Sequence, residues 1–158
     1  KNPLCKPIAN SPGQPENLSD FTANNQSKPN TMNRQHLNDL QQALLALMQE
    51  PEKQKELTGY SALAGEEIVL AFADALEACP VDSNSFSSSQ NTALAELDAY
   101  IRTISGEAFT HIWLEESGLY GEEWQRIRML ARAAAAAFGW ENLPAAPLYR
   151  RIVFADNR

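Results

Sequence analysis

At 158 residues the chain reads as one domain with room for a proper core. Its 20 acidic and 13 basic side chains give a net charge of −7, and no apolar run approaches the ~18 residues a membrane-spanning helix needs. The charge is uneven: residues 56–123 carry thirteen acidic groups against Arg102 alone, whereas residues 124–158 carry six basic and two acidic groups. So anionic a middle repels nucleic acid and membrane surfaces and attracts a basic partner.

Residues 1–31 hold five of the nine prolines, many Asn, Ser and Gln, and few core-forming side chains. They predict an extended arm ahead of a helical domain at 32–158. Asn17 and Asn25 match the N-glycosylation pattern, which Asn-rich tails produce by chance. Cys5 lies in this arm and Cys79 ends an apolar helix, so a buried Cys79 and an incidental Cys5 are expected of a cytoplasmic protein. With Lys at position 1 and two cysteines, an exported or periplasmic form stays open, and with it one disulfide.

The first helix spans 32–50, capped by Thr31 or Asn33, with Leu37, Leu40, Leu44, Leu47 and Met48 as its apolar stripe. Pro51 ends it and opens a short polar turn through Glu56. The second, 61–79, is apolar over so much of its surface that it is the expected central helix, with Ser61 as its N-cap. A Ser-rich loop from Val81 to Asn91 carries one aromatic, Phe86. The third helix, 92–105, repeats Leu94, Leu97, Ile101 and Ile104, and Gly106 closes it. Residues 107–117 fit a helix capped by Gly118 better than a short strand. The best-specified element is 121–138: Glu122 and Glu123 in the first turn, Trp124, Ile127, Ala131, Ala134 and Phe138 along one face, and Gly139 after it. Ala133 to Ala137 invite close approach of another helix. Residues 148–154 are the one strand-like stretch and read as a short extended tail. The fold class is therefore all-α, a single-domain bundle of four or five helices.

Catalytic constellations are missing. Gly59-Tyr-Ser61-Ala-Leu63 begins like a nucleophile elbow and fails at Leu63; no phosphate loop, CxxC or HExxH occurs. His36 with Asp39 and His111 with Glu115 are helix-spaced pairs, and with Glu116 they are the candidates for a metal-dependent enzyme. Neither His has a Glu three residues before it, as carboxylate-bridged di-metal bundles require. Adjacent glutamates along a helix point about 100° apart and do not form an acid–base pair. The expectation is no enzyme, no metal and no cofactor.

Six of the thirteen aromatics, including all three tryptophans, fall between 109 and 140. Most should be core. The sharper reading places Trp113, Tyr120 and Trp140, with Glu115, Glu116, Glu122 and Glu123, in a recognition patch for a basic protein. The chain has the general look of bacterial immunity or adaptor proteins, compact, acidic and Ala- and Leu-rich, a likeness of type that rests on no specific motif. Such a module would bind a basic, toxin-like partner and neutralise or escort it. A structural subunit of a larger assembly is the third reading.

Overall fold

A computed structural model describes residues 33–79 and 85–148, and these residues form helices and turns with no strand among them. The arm at 1–31, Cys5, both glycosylation patterns and all but the first residue of the strand-like stretch lie outside the described residues. The all-α bundle is as expected. Its elements are α1 (Arg34–Leu47), α2 (Pro51–Leu57), α3 (Ala64–Ala78), α4 (Ser88–Thr103), the short α5 (Thr110–Trp113) and α6 (Glu122–Ala137). Two 3-10 turns, Glu107–Phe109 and Glu116–Tyr120, bracket α5.

Local chemistry explains most boundaries. Asn33 caps α1, its side-chain oxygen accepting from the Gln35 N–H at 2.9 Å. Pro51 opens α2, where a missing N–H costs nothing. Helix α3 starts at Ala64, three residues beyond its expected cap. Ser61 instead accepts from the Leu63 N–H and donates to Glu67, an ST turn ahead of the helix. Helix α4 starts four residues earlier than its apolar period suggests. Ser87 and Gln90 form a reciprocal capping box inside the Ser-rich stretch. At the end of α6 the Gly139 and Trp140 N–H groups bond back to Ala136 and Ala135, with Gly139 at φ 75°. This is a Schellman cap, and glycine takes that φ without strain.

The central helix is α1, not α3. Leu40 and every residue from Ala43 to Leu47 are at most 1 % exposed, because α3 packs on one side of α1 and α6 on the other. Helix α3 buries only Ala64, Gly65, Ile68, Phe72 and Ala75 and turns Leu70 to solvent. Helix α6 packs in turn against α4, and the buried alanines 131, 134 and 135 allow the close approach. Phe86 meets Phe138 edge-on at that end, with ring centroids 5.1 Å apart, so the isolated aromatic of the loop is part of the packing.

Because α1 is buried at its C-terminal end, its last carbonyls need partners and water cannot supply them. Buried Gln54 of α2 donates to Ala46 O and Leu47 O. Arg132 and Arg128 of α6 donate to Met48 O and Gln49 O. Two cations from a distant helix thus sit at the negative end of α1, which has no basic residue in its own last turn. Arg128 is 5 % exposed and also holds Gln54 Oε1 and Leu119 O. Burial pushes its guanidinium pKa down, and Glu50 works against that.

Candidate functional site

The expected recognition patch divides into four. Tyr120, Glu116 and Lys55 form one cluster. Lys55 of α2 pairs with Glu116 at 2.9 Å and Glu52 at 3.2 Å, its ammonium lies over the Tyr120 ring, and the Tyr120 hydroxyl donates to Glu52. Here the acidic and aromatic groups fasten the second 3-10 turn to α2. Glu122 and Glu123 begin α6 and face α4, where burial and then Glu123 raise the Tyr100 phenol pKa and Arg126 opposes the rise. Trp140 lies past the opposite end of a 16-residue helix, about 24 Å away at ~1.5 Å per residue. There it stacks on Phe138 with centroids 4.2 Å apart. It does not share a surface with Trp113 and Tyr120.

The Glu52 carboxyl pKa is held below its usual value first by the Tyr120 hydroxyl and then by Lys55. A depressed folded-state pKa means the cluster stabilises the fold above the unfolded carboxylate value and loosens as the pH falls through the folded one. Tyr120→Phe should therefore raise the Glu52 pKa toward 4.5, as read from its carboxyl carbon shift in an NMR titration. An unmoved titration would show that the hydroxyl does not hold that carboxylate.

Trp113 belongs to a different feature. Its indole N–H donates to Ile104 O at 2.9 Å and its ring meets Trp124 edge-on. That fixes the ring as one wall of a groove of about 250 Å³ between α3 and the segment 105–114. Val69, Leu70, Trp113 and Leu114 make the apolar lining, with Glu66, Ser105, Gly106 and Thr110 around it. Leu70 is 54 % and Leu114 45 % exposed, and the two line the same groove instead of being scattered singly over the surface. Leu63, one heptad before Leu70, is also exposed. Between and beyond them the outward face of α3 carries Glu66, Glu67, Asp74 and Glu77 and no cation. Arg102, the one basic residue of the stretch 56–123, pairs with Asp98 at 2.8 Å.

Of the residues expected from the sequence, the groove takes up Trp113 alone, and Glu115 follows Leu114 directly. Leu70 and Leu114 were not among them. The available signal was Leu70 itself, an apolar residue on the polar side of α3. His36, Asp39, His111, Glu115 and Glu116 do not converge: among the described residues no group of three or more His, Cys, Asp or Glu is placed to hold a metal ion. Cys79 is a free, buried thiol whose pKa burial, and then Asp39, push up. No helix among the described residues is long and apolar enough to cross a membrane. No family model, curated protein or solved structure matches this chain.

Proposed function

We propose that this chain is a protein-binding module of the immunity or adaptor type, which neutralises or escorts a basic partner protein. The observation that carries the reading is the groove beside α3: solvent-exposed leucines next to a helix face whose charged groups, Glu66, Glu67, Asp74 and Glu77, are all acidic. Exposed apolar side chains give a partner something to bury. The surrounding carboxylates steer a cationic surface toward them and penalise anionic competitors. No chemistry by the module itself is required; blocking a basic cleft is enough to inhibit a protein that works on phosphates.

The test is a photo-crosslinking side chain at position 70, compared with one at Met129, 59 % exposed on α6 and away from the groove. In the source cell, position 70 should capture a protein of basic surface that position 129 does not. With that protein purified, association should slow as ionic strength rises past the ~10 Å screening length of 0.1 M salt. Capture from both positions alike, or association indifferent to salt, would refute the reading.

A further inference from the structure

We infer that the groove between α3 and α5 is built for an amphipathic helix of the partner, one that seats two aliphatic side chains a turn apart and carries Lys or Arg on either side of them. The inference rests on the protein-binding reading and adds the form of the bound segment.

The floor offers apolar contact and few donors. The Trp113 indole N–H is spent on Ile104 O and the Ser105 hydroxyl on Ile101 O. What remains for a ligand is the apolar Trp113 ring with Val69, Leu70 and Leu114, and beside them the Thr110 hydroxyl and the Glu66 carboxylate. A 150 Å³ apolar cavity takes a benzene, so about 250 Å³ holds roughly ten heavy atoms, two leucine-sized side chains. Side chains at i and i+3 or i+4 of a helix stand about 5–6 Å apart, which delivers two such anchors together. Gly106, at φ 117° with open space around its Cβ position, leaves one end of the groove without a side chain across it.

The form of the ligand follows from the walls. No strand edge occurs among the described residues, so an extended peptide has no ladder to join there. A groove flanked by helices is filled by an amphipathic helix reading as i, i+3, i+4, i+7 anchors. The sign of the flanking charges follows from Glu66, Glu67, Asp74 and Glu77 on α3, with Glu107 and Glu115 bracketing the other wall in sequence. A second copy of this chain would set these carboxylates against their own equivalents, and anionic lipid or nucleic acid would meet the same repulsion.

The experiment uses the full chain and three synthetic peptides of about 15 residues, long enough to hold a helix. One is an amphipathic Leu/Lys helix, one has the same composition scrambled to remove the apolar face, and one is an amphipathic Leu/Glu helix. The Leu/Lys helix should bind with a change in tryptophan emission, and both other peptides should bind at least ~10-fold more weakly. Leu70→Ser combined with Leu114→Ser should weaken the Leu/Lys helix ~10-fold or more, and Met129→Ser should leave it unchanged. Circular dichroism of each variant checks that the fold persists.

Equal binding of the scrambled peptide, or indifference to Leu70→Ser with Leu114→Ser, overturns the helix inference and leaves a basic partner standing. Equal binding of the Leu/Glu helix overturns the basic-partner reading itself. A dimer in light scattering that the two serines dissolve assigns the groove to a second copy and overturns both. A partner crosslinked from position 70 with no peptide bound retains the module and rejects the helix.

Discussion

Arg128→Leu is expected to remove about 3–5 kcal/mol of stability, a large share of the ~5–15 kcal/mol that a domain holds. The leucine fills part of the volume but leaves Gln54 Oε1 and Leu119 O without their donor in a buried site and Gln49 O without its donor in a half-buried one. Bonds from a charged donor contribute ~1.5–3 kcal/mol each, and each stranded acceptor costs ~1–3 kcal/mol. Relief from burying a guanidinium offsets part of the sum. Arg128→Lys keeps the charge without the planar fork, so it should recover only a minority of the loss. Urea unfolding followed by circular dichroism measures both. A cost below about 1 kcal/mol for the leucine variant would mean that the three acceptors find other donors, and that Arg128 does not join α1, α2 and the 3-10 turn as described.

Gly118→Ala should cost about 2–3 kcal/mol although it adds one methyl group. A Cβ at 118 would lie 2.4 Å from Ile112 O and 2.6 Å from His111 O. Both are backbone atoms of a short segment that cannot turn aside as a flexible side chain can. Ile112 O also accepts the buried Trp124 indole N–H at 3.2 Å, so pushing that carbonyl disturbs the core directly. The Trp124 indole N–H resonance should therefore shift along with the loss of stability. Gly139→Ala is the control: its Cβ meets open space, and the cost is the left-handed φ alone, roughly 1 kcal/mol. Equal effects at the two positions would show that the 3-10 turn moves freely away from α5.

Where a helix owes its existence to its own residues, the sequence was legible. Helix α6 is the plain case: paired glutamates, a one-sided apolar stripe and a glycine past the end act within a few residues of one another. Gly118 looks like the same signal and is not, since its smallness serves a close approach to α5. The centrality of α1 was hidden for a related reason. Helix α3 has more apolar residues around its circumference, but Leu70 and Ala73 face solvent, while Leu45 and Ala46 of α1 are buried by a second neighbour. Period reports one face of a helix and cannot report two partners. The capping box of α4 was legible in Ser87 and Gln90, but the Ser-rich composition around it outweighed it. The groove was half legible: Trp113 stood out among the aromatics and Leu70 interrupts a polar face, but their meeting depends on the path from 105 to 114.

The bonds from Arg128 and Arg132 reach back 79 and 84 residues to the carbonyls that follow the C-terminus of α1. A ribosome adding about 5–20 residues per second leaves α1 waiting roughly 4–17 seconds for them. Until α6 emerges, the Met48 and Gln49 carbonyls have no arginine donor, and the apolar Leu44–Leu47 segment has only α2 and α3 to pack against. Helix α1 is therefore closed on one side only until α6 is made, and a delay in synthesis between them lengthens the time its second face stays open.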